Sequence, residues 1–293
     1  MFIKDSVSII NYCEEHHLSL YEYAIQYELS MSELSENEIK EQMYRYLGIM
    51  KESITRGLDQ SIGGNGKIIG RKASDVHKFS LDKDVKTASG DSMLKAVSYG
   101  LAVMEVNVTM GRIVAAPTAG ASGVIPGVFV SLQETFGLTD EKLVEGLFVA
   151  GLVGAIIARN ASISGAKGGC QAEIGSGAAM AAVAGLYMLD VGIHHVFHGG
   201  AIALKNLMGL VCDPVAGLVE VPCQKRNAIG IADSLVAIDL VRSGMESYIP
   251  FDEVVEAMKK VGDLMPSCHR ETGTGGIANT KTGLMYNHQI FSE

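Results

Sequence analysis

The side chains able to do chemistry gather in three segments rich in glycine and proline. The first reads Ala116-Pro117-Thr118-Ala119-Gly120-Ala121-Ser122-Gly123-Val124-Ile125-Pro126-Gly127. Small hydroxyl residues among glycines let backbone N–H and side-chain O–H groups approach an anion such as a carboxylate. The plainer reading is a loop bracketed by two prolines. The second segment runs from Ser162 to Glu173 and carries Lys167 and Cys170. The third runs from Cys212 to Asn227 and carries Asp213, Glu220, Cys223, Arg226 and Asn227.

Three thiolates converging from such loops make a soft-metal site. All three cysteines are expected at helix ends, where backbone N–H groups favour a thiolate. Their spacing matches neither the paired C-x-x-C of zinc ribbons nor a ferredoxin run. Three ligands without an obvious fourth suit a 4Fe–4S cube with one open iron, able to act as a Lewis acid on a substrate oxygen. The spacing equally allows three buried structural thiols, a common fate of free cysteine. Arg226 could orient substrate or cluster, or simply pair with Asp213 or Glu220. Candidates for a base are weaker. Lys167 lies three residues before Cys170, and His269 sits in Cys268-His269-Arg270-Glu271-Thr272-Gly273-Thr274-Gly275-Gly276. His194, His195 and His198 include an i, i+4 pair, but the glutamate of H-E-x-x-H and a third ligand are missing, so they are read as covering a helix start. Cys13 reads as an ordinary thiol.

Helices must position these segments. Residues 1–90 are charged and conventional, whereas residues from about Gly111 to Gly230 are rich in Gly, Ala and Ser. Ser35-Glu36-Asn37-Glu38 is a capping box, followed by the stripe Ile39, Met43, Tyr46, Leu47, Met50, Ile54 and Leu58, with Gly63-Gly64 as the stop. Thr139 with Asp140 and Glu141 starts a helix whose stretch Leu143 to Ala158 is apolar on nearly every face. Ile174 to Leu189 places Gly175, Ala179, Ala182 and Gly185 where helices can approach closely. Further helices are predicted over His194–Leu210, Ala228–Val241 and Asp252–Val261, the last ended by Gly262. Few segments alternate with period two. The expectation is an all-α fold: one catalytic domain over residues 1–293, with an amphipathic region 1–90 packed on a cluster-binding core 91–293.

Composition narrows the function further. The chain carries 24 basic and 33 acidic residues, a net charge of −9, which argues against a nucleic-acid partner. With 47% hydrophobic and 19% charged residues it is not a disordered chain. The absence of tryptophan, beside 34 glycines, suits closely packed helices. The opening Met1-Phe2-Ile3-Lys4-Asp5-Ser6 does not read as a signal peptide. Leu147 to Ala158, the longest strongly apolar stretch, is too short to span a bilayer. A cytoplasmic protein without a membrane partner is expected, and there the five cysteines should be free, catalytic or metal-bound.

The strings APTAGASGVIPG, SISGAKGGCQAEIGSGAAMAA and LKNLMGLVCDPVAGLVEVPCQKRNAIG closely resemble the α chain of the iron–sulfur L-serine dehydratases, and the similarity covers nearly the whole chain. The resemblance implies an oxygen-sensitive 4Fe–4S cluster on Cys170, Cys212 and Cys223, and no pyridoxal phosphate. It also implies a mostly helical catalytic domain and a lyase reaction that deaminates L-serine to pyruvate, a feed for gluconeogenesis, and ammonia. Single-chain members carry an additional domain with a Ser-His-Thr-type motif, which this sequence lacks. A β chain, forming a heterodimer, is therefore expected to complete the site and to bring some of its catalytic groups. Thr118, Ser122, Arg226 and Asn227 are the expected substrate contacts, and the base is left unassigned, with Lys167 and His269 as candidates. Two rivals stay in view: a pyridoxal-phosphate deaminase with Lys167 as Schiff base, and a zinc-stapled scaffold without enzymatic activity.

Overall fold

A computed structural model describes residues 3–61 and 64–292. Gly63, half of the predicted stop signal, lies outside the described residues, as do Met1 and Phe2 of the N-terminal reading. Among the described residues the chain forms thirteen α-helices and no strand.

Helices α1 (Ser6–His16), α2 (Leu20–Met31) and α3 (Glu36–Leu58) make up the charged N-terminal region. The capping box at α3 is complete. Glu38 N–H donates to Ser35 Oγ at 3.4 Å, and Ser35 N–H donates to Glu38 Oε2 at 2.8 Å. Ile39, Leu47, Met50 and Ile54 of the predicted stripe are buried, whereas Tyr46 is exposed. Helices α4 (Ala73–Leu81), α5 (Asp91–Val108) and α6 (Val124–Phe136) follow. The sequence reading places Val124-Ile125-Pro126-Gly127 in a loop, yet these residues open α6. Pro126 sits in its first turn, where backbone N–H groups have no helical partner and a proline costs nothing.

The central layer is α7 (Asp140–Asn160), the single turn α8 (Gly165–Gly168), α9 (Ser176–Met188) and α10 (Ile193–Asn206). Thr139 caps α7 by accepting from Lys142 N–H at 3.3 Å. Nearly every residue of α9 is buried, among α6, α7, α10 and α11. The small residues predicted to permit close approach do so. A methyl on Gly185 would meet Ile238 Cδ1 at 2.5 Å. α10 stops at Asn206 rather than Leu210, because the chain turns through Gly209 at φ +85°.

The C-terminal helices are α11 (Cys223–Arg242), α12 (Phe251–Leu264) and α13 (Lys281–Phe291). α11 begins five residues before its expected start, so Cys223, Arg226 and Asn227 belong to its first turns. Gly262 does not end α12. It lies inside the helix and lets α12 approach the cysteine loop, since a methyl there would sit 3.0 Å from Gly168 Cα. Pro266, just beyond Met265, is the actual stop. One buried apolar cluster runs from Ile9 and Leu20 through Phe129, Ile156 and Leu186 to Val255, so α1–α3 share a core with the later helices. Burying each such side chain contributes about 1.5–3 kcal/mol.

Candidate metal centre

The site is built where α8, α11 and the segment after α12 meet. Gly169 at φ +76° turns the chain into Cys170, which is followed by a single π-helical turn, Gln171–Gly175, leading into α9. That turn brings Glu173 to the same side as Cys170. Sγ of Cys170, Sγ of Cys212 and a carboxylate oxygen of Glu173 all lie within 4.8 Å of one another, and all three residues are buried. Cys223 is also buried, at the first position of α11, but its sulfur is not part of that 4.8 Å group.

Cys212 departs from the expectation that every cysteine sits at a helix end. It lies in extended chain and forms an isolated parallel bridge with Arg270. Its N–H donates to His269 O at 2.8 Å, and its carbonyl accepts from Glu271 N–H at 2.8 Å. The glycine-rich C-terminal segment is thereby registered against the site.

Charge is arranged asymmetrically. Arg226 donates from Nη1 to Cys170 Sγ at 3.3 Å and to Val211 O at 2.7 Å, and from Nη2 to Asp213 Oδ1 at 2.8 Å. Pairing with Asp213 is thus real, and it coexists with the contact to the sulfur. The Cys212 thiol and the guanidinium together hold the Cys170 thiol below its ordinary range. Cys212 is pushed upward, by the same hydrogen bond and by burial. Of the two, Cys170 is the one whose thiolate form is favoured. Burial raises Cys223 to about 12. Glu173 is raised by burial as well.

The other predicted residues divide. Thr118 Oγ1 donates to Glu173 Oε1 at 2.7 Å, which puts the first loop on the cysteine site. Ser122 is fully buried, and its hydroxyl donates to Ala119 O at 2.8 Å within its own turn. Asn227 is also fully buried. It donates to Gly120 O at 2.7 Å and Cys223 O at 2.9 Å and accepts from Gly123 N–H at 2.9 Å, tying the loop to α11. Lys167 is exposed and lines a separate cleft of about 210 Å³ with Met258, Lys259 and Asp263. His194 pairs with Glu14 at 2.6 Å, and His198 accepts from Ser247 N–H at 3.3 Å, so these histidines serve different contacts.

Glu173 is the residue that the sequence reading passes over. The Cys-x-x-Glu spacing from Cys170, about one helical turn, is the signal that could have found it. The donor set suits an iron–sulfur group: soft sulfurs in a buried setting. Gly165 lets its loop pack closely here, since a methyl would lie 2.6 Å from Glu173 Oε2 and 3.1 Å from Cys212 Sγ.

Comparison with known proteins identifies the family. The family model described as Serine dehydratase alpha chain matches residues 15–278. A probable L-serine dehydratase, alpha chain, of Bacillus subtilis is 42% identical over 97% of this chain and 93% of its own. The L-serine dehydratase, alpha chain, of Peptoniphilus asaccharolyticus is 38% identical over 97% of both chains. L-serine dehydratase 2 of Escherichia coli is 34% identical over 91% of this chain but 59% of its own. With the match running through all three of these segments, the chain belongs to the serine dehydratase alpha chain family.

Proposed function

We propose that this chain is the α half of an iron–sulfur L-serine dehydratase, cytoplasmic, completed by a β chain, releasing pyruvate and ammonia from L-serine. The observation that carries this reading is the meeting of Cys170 and Cys212, from distant loops, beside a guanidinium and a carboxylate. Support for the second chain comes from the names of the two alpha-chain relatives and from the E. coli protein, of which 59% is matched. Within the described residues no helix is long and apolar enough to cross a membrane.

Cys170, Cys212 and Cys223 would hold the 4Fe–4S cluster. When bound, the cluster supplies Lewis acidity to the departing hydroxyl of the substrate. Arg226 holds the Cys170 sulfur in place and favours its thiolate form. Asn227 fixes the 118–123 turn, Ser122 shapes it from inside, and Thr118 with the turn's backbone forms the wall for the substrate carboxylate. The α-proton needs a base. Lys167 faces another cleft, and His269, beside Cys212, is the nearer of this chain's two candidates. The β chain is the expected source of the remaining catalytic groups.

The test is anaerobic co-expression with the β chain, followed by a pyruvate assay and metal analysis. About four irons with equal sulfide per α chain, and loss of both iron and turnover in Cys170→Ser, Cys212→Ser and Cys223→Ser, are expected. Normal turnover in any of these variants discards the ligand assignment. A single zinc per chain would favour the scaffold, and a sharp aldimine band in place of a broad absorbance that bleaches in air would favour pyridoxal phosphate.

A further inference from the structure

Four carboxylates among the described residues are buried, and two have partners on both oxygens or a cation. Asp213 faces Arg226 and accepts from Ile277 N–H at 2.8 Å. Glu220 accepts from the N–H groups of Lys67, Ile68 and Ile69 at 2.8–2.9 Å. Glu105 Oε1 accepts from Lys72 N–H, Ala73 N–H and the Gln224 amide, while its Oε2 is buried without a protein partner. Glu173 differs. It is 7% exposed, receives a hydroxyl from Thr118, and meets the Cys212 thiol at 3.8 Å. No cationic side chain among the described residues forms an ion pair with it, and the charge bearing on it is another acid, Glu271. Burial without a cation pushes the Glu173 carboxyl toward its neutral form, and a cation placed beside it would favour the carboxylate.

Two glycines from two different loops let the chain pass close to the Glu173 carboxylate oxygens. A methyl on Gly165 would lie 2.6 Å from Glu173 Oε2, and one on Gly120 would lie 3.3 Å from Oε1. Both loops belong to the segments that carry the site. A zwitterionic amino acid brings one cation, its α-ammonium, next to its own carboxylate. Beside the backbone of the 118–123 turn, a carboxylate such as Glu173 complements that pair of charges.

We infer that Glu173 is the residue that binds the α-ammonium of the amino-acid substrate, and so selects amino acids over hydroxy acids of the same shape. This rests on the serine-deaminating reading above. The substrate's ammonium donates to the Glu173 carboxylate, Thr118 Oγ1 steadies the far oxygen, and the 118–123 turn faces the substrate carboxylate. No bond is made or broken at Glu173.

The test uses the anaerobically assembled α–β enzyme with Glu173→Gln, which keeps the shape and the acceptor for Thr118 but removes the charge. Three readouts are taken: KM and kcat for L-serine, Ki for 3-hydroxypropanoate, which is serine without its amino group, and iron and sulfide per chain. KM should rise about ten- to a hundredfold with a smaller change in kcat. Ki for 3-hydroxypropanoate and the iron content should not change, and Glu173→Asp should recover part of the affinity. An unchanged KM overturns the assignment. So does a Ki that worsens in step with KM, which would mean general damage, or lost iron, which would make Glu173 a cluster-holding residue. A wild-type enzyme that leaves L-serine untouched overturns the activity reading itself, and the ammonium assignment falls with it.

Discussion

Arg226 reaches Cys170 Sγ at 3.3 Å from a guanidinium whose other arm is fixed on Asp213 at 2.8 Å. One residue of α11 thereby joins the two cysteine-bearing segments. The side chains of Arg226 and Asp213 are 15% and 3% exposed, so the ion pair is nearly dry. Removing one member of such a pair leaves an uncompensated charge. Arg226→Met is expected to cost about 3–5 kcal/mol in urea unfolding of the metal-free chain. Adding Asp213→Asn should recover part of that loss. Two simply additive losses would show that the pair is not coupled.

Space at the site should matter more than helix propensity. Gly165→Ala would press a methyl against Glu173 and Cys212, and is expected to lower iron retention and pyruvate formation at least tenfold with the helical circular dichroism unchanged. Gly48 in α3 and Gly151 in α7 are exposed helix-interior positions where an added methyl would have nothing within 4 Å. Ala at either should stabilise by about 0.5–1 kcal/mol, read as a rise in melting temperature at full activity. A fall in stability at both would contradict this packing.

Asp233 on α11 offers a pH test away from the cysteines. One oxygen accepts from Asn206 at 2.8 Å, while the other is buried without a protein partner. Burial raises its pKa to about 6 from the ordinary 3.8. Between those values the folded chain holds a proton that the unfolded chain has lost. The associated stability is present near pH 4 and declines as pH rises through 6. Asp233→Asn should match the wild type near pH 4 and exceed it by on the order of 2 kcal/mol at pH 7. The difference between the two urea-unfolding curves, followed against pH, checks the sign.

Glu220 holds the 67–69 loop by three backbone amides, and Lys67 beside them is exposed. Glu220→Ala frees those amides, so local opening should become more frequent. Trypsin cleavage after Lys67 is expected to accelerate about tenfold or more, timed by gel or mass spectrometry. An unchanged rate would show that other contacts hold the loop.

Local rules were enough for the helices whose signals lie within a few residues. Ser35 with Glu38, Thr139 before Asp140, and the small residues of α9 each act through neighbours in sequence or through a regular stripe, so the all-α class and most of the helix cores were readable from the chain. Ends were less readable where polarity hid them. The run Cys223-Gln224-Lys225-Arg226-Asn227 has no apolar period, yet it opens α11. Gly262 looks like a stop only until its neighbour Gly168 is known.

The candidate site divides in the same way. Residue types and loop chemistry were enough to single out Cys170, Cys212, Cys223, Thr118 and Arg226, because thiols among glycines are conspicuous in a sequence. Tertiary structure alone decided that Glu173 lies against Cys212, that the Arg270 segment pairs with Cys212, that Asn227 ties a loop while Lys167 faces elsewhere, and which cysteine sulfur the guanidinium reaches. The physical reason is range. Capping and periodicity act over three or four residues, whereas a buried charge or thiol takes its partner and its protonation from whatever distant chain the packing brings beside it.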